Sequence, residues 1–242
     1  MQNQFDPRTT TAAQPASVGV PRAARDAGLR SYMLSVYNYM ASGVLLTGIV
    51  ALLFANSGMA AQVLTTPLRW LIIFAPLAFV MIMSFGMNRL STGALQALFW
   101  GFAFVMGLSM SSIFLVFTGT SIAQTFFAVA AAFLGLSLYG YTTKKDLSGM
   151  GTFLIMGVVG LFVAMLINLF LQSTAMQLAI SAIGVLLFAG LTAYDTQKIK
   201  SMYYHVAGSE MMGKVVIMGA LNLYLDFINM FQFLLSLIGN RD

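Results

Sequence analysis

The chain has 242 residues, of which 59% are hydrophobic and only 8% charged, with a mean hydropathy of +0.86 and a formal net charge of +5. A soluble core of this size could not hide so much apolar surface, so the composition excludes a single soluble domain and points to an integral membrane protein. The lack of cysteine excludes disulfides, thiolate metal sites and cysteine nucleophiles, and the Lys and Arg residues are spread among short connections, which argues against a nucleic-acid surface.

Residues 1 to 30 are rich in Ala, Thr, Pro and Arg and carry no apolar core, so they read as a disordered cytoplasmic tail rather than a cleaved signal peptide. Residues 31 to 242 form the transmembrane domain. A hydrocarbon core about 30 Å thick requires about 20 consecutive apolar residues of helix. Seven stretches meet that requirement: 32 to 54, 68 to 88, 93 to 117, 121 to 143, 150 to 172, 176 to 200 and 214 to 238. The fold class is therefore all-α, a bundle of seven transmembrane helices. Pro76 lies inside the second span and predicts a kink, with the freed carbonyl satisfied by a neighbour or water. The junction from Thr118 to Ser121 is the shortest, and it is the point where two helices could be read as one. In the fourth span Ala128 and Ala132, and Ala131 and Gly135, recur at four-residue spacing and predict close helix packing. The longest connections, about residues 55 to 67 and 201 to 213, are too short for a further domain.

Charge asymmetry gives an orientation. With the tail in the cytoplasm, Arg8, Arg22, Arg25, Arg30, Arg89, Lys144, Lys145, Lys198, Lys200 and Lys214 lie inside, and only Arg69 and Arg241 lie outside. This bias follows the positive-inside rule and places the C-terminus externally.

The last two spans carry the least expected residues of the chain. Asp195, in Leu-Thr-Ala-Tyr-Asp-Thr-Gln, and Asp226, in Leu-Asn-Leu-Tyr-Leu-Asp-Phe-Ile-Asn, fall within or at the edge of apolar stretches. An ionised carboxylate at membrane depth costs at least about 2.5 to 3.5 kcal/mol, and such residues mark ion or proton paths. Asn222, Asp226 and Asn229 share one helical face, extended by Gly219, and Thr192 lies on the face of Asp195. The two helices are antiparallel around a turn near residue 210, so the acids lie at comparable depth and can meet. Two carboxylates in low dielectric do not both ionise readily, and the pair is expected to hold one proton between them. Arg89, at the cytoplasmic end of the second span, is the candidate counter-ion; membrane anchoring is its alternative role.

The segments Gly190-Leu-Thr-Ala-Tyr-Asp-Thr-Gln-Lys198 and Gly219-Ala-Leu-Asn-Leu-Tyr-Leu-Asp-Phe-Ile-Asn229, together with Leu138-Tyr-Gly-Tyr-Thr-Thr-Lys-Lys-Asp-Leu-Ser148, resemble the signatures of the Bax inhibitor family in its bacterial branch. The resemblance covers the membrane region from about Gly28 onward. It implies seven helices with the last one central, and a pH-sensitive calcium leak controlled by an aspartyl dyad. By motif, the dyad is Asp195 and Asp226, with Arg89 as the gating counter-ion. Some bacterial members of the family resemble regulators of a membrane-bound protease, which supplies the alternative reading: a regulatory membrane protein that binds and modulates a membrane-bound protease or another membrane complex.

Calcium is expected as a weakly held, permeant ligand. Two carboxylates with Asn222, Asn229 or Thr192 fall short of the ~6 to 8 oxygens that Ca²⁺ takes, and weak binding suits release during conduction. No tightly bound cofactor and no catalytic residue is expected. Intramembrane aspartyl proteases also use one acid from each of two helices, but they resemble Gly-x-Gly-Asp at the second acid, where this chain has Leu-Tyr-Leu-Asp. A zinc protease would need His-Glu-x-x-His, and His205 is the only histidine. The 18 Met and 20 Phe are ordinary filling for membrane helices. The expected partners are the bilayer, calcium and protons, plus a membrane protease in the alternative reading. The expected location is the inner membrane.

Overall fold

The computed structural model describes residues 22–241. The sequence reading of residues 1 to 21 as a disordered tail lies outside the described residues. The helices are α1 (Arg22–Asn56), α2 (Met59–Leu64), α3 (Leu68–Gly86), α4 (Thr92–Met110), continued by a 3-10 turn at Ser111–Leu115, α5 (Gly119–Thr142), α6 (Ser148–Leu171), α7 (Thr174–Val206) and α8 (Met211–Ile238). Seven of these are long and apolar enough to cross a membrane, in the order and close to the positions read from the sequence. The chain is an all-α, multi-pass membrane protein.

Three departures have local causes. Residues 22 to 30, assigned to the tail, are the start of α1. The connection at 55 to 67 contains the short helix α2. The loop expected over 201 to 213 shrinks to a turn, because α7 continues to Val206. At 33 residues α7 is about 50 Å long, well beyond a 30 Å core, and its last turns emerge from the apolar stretch without ceasing to be helical. Tyr203 anchors that extension. Its ring packs 5.4 Å from the ring of Tyr32 on α1, and Gly28 provides the room, since a Cβ there would collide with the Tyr203 hydroxyl.

Side-chain caps set the helix starts. Ser91 Oγ accepts from Ala94 N at 3.2 Å, Thr118 Oγ1 from Ser121 N at 3.2 Å, and Ser173 Oγ from Met176 N at 3.3 Å. The Thr118 cap separates α4 from α5. The same junction is latched to the chain end after α8: Thr118 N donates to Asn240 O at 3.1 Å and Asn240 N donates to Ser121 Oγ at 3.0 Å.

Pro76 lies inside α3. It has no N–H to give to the carbonyl of Ile72 four residues earlier, and the Ser109 hydroxyl of α4 donates to that carbonyl instead. The small-residue pairs of α5 do not behave as expected. Ala128, Ala131, Ala132 and Gly135 are all exposed on the outer surface, whereas the close approach is made by Gly140, where a Cβ would come within 3.0 Å of the Ala193 Cα and nearer still to its carbonyl oxygen. Spacing alone does not say which face of a helix meets a neighbour.

Helix α8 is the centre of the bundle. In its apolar window 61% of residues are buried, against at most 33% in any other span, and it packs against α7, α1, α5 and α4. Its contact with α7 is the most extensive between any two helices.

Candidate functional site

Helices α7 and α8 turn back on one another through Ala207–Glu210, where Gly208 takes a left-handed φ of 77°. Gly219 lets them approach: a Cβ there would meet the Ile199 side chain at 3.3 Å. This pairing brings together Asp195 and Asp226, whose carboxyl groups are close enough to interact across the α7–α8 contact. Asp226 is buried, 3% exposed, and its Oδ2 has no hydrogen-bond partner; Asp195 is half-buried. Two ionised carboxylates are acceptors only, so a hydrogen bond between them requires one proton on the pair.

The flanking residues of both motifs hold the aspartates in place. Tyr224, fully buried, bonds through its hydroxyl to Thr47 Oγ1 of α1 at 2.6 Å, and Thr47 donates to the Ala103 carbonyl of α4 at 2.8 Å. Thr196, the residue after Asp195, shares a hydrogen bond of 2.9 Å with Ser137 of α5, which bonds in turn to Tyr37 of α1 at 2.6 Å. Each aspartate therefore stands beside a hydroxyl chain that fixes its helix to the rest of the bundle. Sequence reasoning passed over Tyr224 and Thr196, although both stand inside the quoted motifs.

The auxiliary stripe divides. Asn222 and Asn229 are half-buried on α8. Asn229 Nδ2 donates to the Leu225 carbonyl at 2.8 Å, which leaves its side-chain oxygen as the unused group. Thr192 is fully buried and donates to the Phe188 carbonyl at 2.8 Å, within its own helix.

Among the described residues, no ion pair or hydrogen bond joins Arg89 to the dyad, and Asp226 Oδ2 stays without a partner. Helix α3 stops at Gly86, two residues short of the span read from the sequence. Arg89 then lies exposed in the turn, where its backbone N–H bonds to the Gly86 carbonyl at 2.9 Å. The basic residue nearest to Asp195 along α7 is Lys198, about one helical turn further on, its ammonium 5.8 Å from the Tyr194 ring centroid. Its three-residue spacing from Asp195 was the available signal.

Among the described residues no third His, Asp or Glu joins the pair. The dyad supplies four carboxyl oxygens at most, fewer than the ~6 to 8 that calcium takes, so water or carbonyl oxygens would complete the shell. What the arrangement can do is hold one proton, release it, and then present concentrated negative charge between two helices.

Residues 29–242 match the family model described as inhibitor of apoptosis-promoting Bax1. The chain is 47% identical to an uncharacterized protein of Rickettsia prowazekii over 217 residues, covering 89% of this chain and 92% of that protein. It is 47% identical to an uncharacterized protein of Caulobacter vibrioides over 231 residues, covering 90% of this chain and 92% of the other. With the inner membrane protein YbhL of Escherichia coli K12 it shares 46% identity over 229 residues, 93% of this chain and 96% of the relative.

Proposed function

The chain belongs to the Bax inhibitor family, and from that premise we propose that it is a pH-sensitive calcium leak of the bacterial inner membrane, gated by Asp195 and Asp226. The location follows from the likeness to YbhL, and the basic-residue bias supports an N-terminus inside and a C-terminus outside. The observation that carries the functional reading is the contact between the two carboxyl groups at the centre of the bundle.

With one proton, the pair is a hydrogen-bonded unit that ties α7 to α8. Loss of that proton at higher pH turns the bond into repulsion between like charges, which a low-dielectric interior screens poorly. The helices then separate at this point and water enters, a local electrostatic change with a global consequence. The exposed carboxylates attract a divalent cation, yet too few ligands surround it to hold it long. Acid restores the bond and closes the path. Lys198, one helical turn from Asp195, is the cation placed to influence this balance.

The test is calcium entry into vesicles loaded with a calcium-sensitive dye and reconstituted with the purified chain. A rate above that of empty vesicles, rising with pH, supports the leak. A rate equal to that of empty vesicles at every pH contradicts it.

A further inference from the structure

The segment Tyr141-Thr-Thr-Lys-Lys-Asp-Leu-Ser148 is the one quoted motif that the dyad does not use. Between α5 and α6 it forms a short loop held against α7 by both ends of one amide: Gln197 Oε1 accepts from Leu147 N at 2.8 Å and Gln197 Nε2 donates to the Lys145 carbonyl at 2.8 Å. Thr143 Oγ1 accepts from Lys145 N at 3.2 Å and braces the loop from within. The result is a fixed cleft of about 320 Å³ lined by Lys144, Lys145, Asp146, Tyr194, Lys198 and Ser201, among others.

Among the described residues, the ammonium groups of Lys144, Lys145 and Lys198 make no hydrogen bond or ion pair, whereas nearby Lys200 donates to the Tyr141 carbonyl at 2.6 Å. Asp146 is turned to the start of α6, its Oδ1 accepting from Ser148 N at 2.9 Å. The Ser148 hydroxyl and backbone N–H hold its carboxyl below the usual carboxylate range, so it is ionised at neutral pH. Three ammonium groups against one carboxylate leave the cleft with two net positive charges. It opens at the end of a membrane-spanning bundle, at the level where lipid headgroups lie.

We propose that this cleft is a phosphate-oxyanion site, with Lys144, Lys145 and Lys198 as its ligands and the headgroup of an acidic phospholipid as its occupant. Ammonium groups bind phosphate as point charges, and the Gln197 clamp fixes the backbone that carries Lys144 and Lys145 against the helix that carries Lys198. Because Lys198 stands one helical turn from Asp195 on α7, occupancy would alter the charge beside the dyad. That consequence rests on the proposed leak, whereas the binding does not.

The binding is tested by native mass spectrometry of the full chain in neutral detergent, titrated with phosphatidylglycerol or with phosphatidylcholine of the same acyl chains. The wild type should retain phosphatidylglycerol in preference, and K144Q/K145Q/K198Q should retain at least about tenfold less, since each headgroup-level charge contributes roughly a fivefold factor. Asp146→Asn keeps the acceptor for Ser148 N but removes the opposing charge, so it should retain roughly two- to fivefold more. Arg69→Gln, on another loop, should change nothing. A competition arm with inorganic phosphate separates the sources: displacement that depends on the three lysines assigns the cleft to free phosphate as well, and no displacement assigns it to the lipid headgroup. Equal retention by the wild type and the triple variant, or no gain in Asp146→Asn, overturns the proposal. Neither readout involves calcium, so failure of the leak and failure of this site are told apart.

Discussion

Asp195 on α7 and Asp226 on α8 are neighbours close enough for their carboxyl groups to interact across the most extensive helix contact of the bundle. Acids so placed attract only while a proton lies between them. The contact is therefore a bond in one protonation state and a source of repulsion in the other, and the proposed leak turns on that reversal.

The bias on this balance should come from Lys198 and not from Arg89. A cation near Asp195 favours its ionised form, so Lys198→Met should move the midpoint of calcium flux against pH upward. Arg89→Ala should leave the midpoint where it is, because Arg89 stands exposed in the turn after α3. A shift in Arg89→Ala with none in Lys198→Met would reverse the assignment.

The carbonyl freed by Pro76 in α3 should depend on a single hydroxyl. Ser109→Ala leaves the Ile72 carbonyl without its donor and should lower stability by about 1 kcal/mol, the range measured for hydrogen bonds between membrane helices. Pro76→Ala restores a backbone N–H four residues after Ile72. In that background the cost of Ser109→Ala should largely vanish, as read by thermal unfolding in detergent.

Two glycines of α5 should respond in opposite ways. A Cβ at Gly140 runs into the Ala193 backbone, while one at Gly135 meets nothing within 4 Å. Gly140→Ala should cost about 1 to 3 kcal/mol through overpacking between α5 and α7, and Gly135→Ala should be neutral or slightly stabilising. Melting temperatures of the two variants decide the matter.

Orientation is open to labelling from one side. Ser57 and Ser209 are both exposed in connections at opposite ends of the bundle. In intact cells permeabilised only at the outer membrane, cysteine at Ser57 should react with an impermeant thiol reagent and cysteine at Ser209 should not. The converse pattern would invert the topology drawn from the basic residues.

Much of this was legible in the sequence, for identifiable reasons. The spans could be read because a bilayer imposes length and apolarity on them, and the dyad could be read because acids are costly there. What escaped depended on three-dimensional packing. Hydropathy follows the membrane and not the helix, so it ends α7 at Lys200 while the backbone runs on to Val206. Hydropathy carries the second span to residue 88, with Arg89 at a helix end as counter-ion to the dyad, whereas α3 ends at Gly86. The small residues of α5 were visible, but which of them faced α7 was not.

The central claim is tested most directly by calcium flux through Asp226→Asn beside the wild type, in dye-loaded vesicles stepped from mildly acidic to mildly alkaline pH. The amide keeps the shape of the carboxyl group but can neither lose the shared proton nor supply the charge that draws a divalent cation. The wild type should leak faster as pH rises, and Asp226→Asn should stay at least about tenfold slower with its pH response gone. A variant that leaks as fast as the wild type and keeps the same pH dependence would contradict the account.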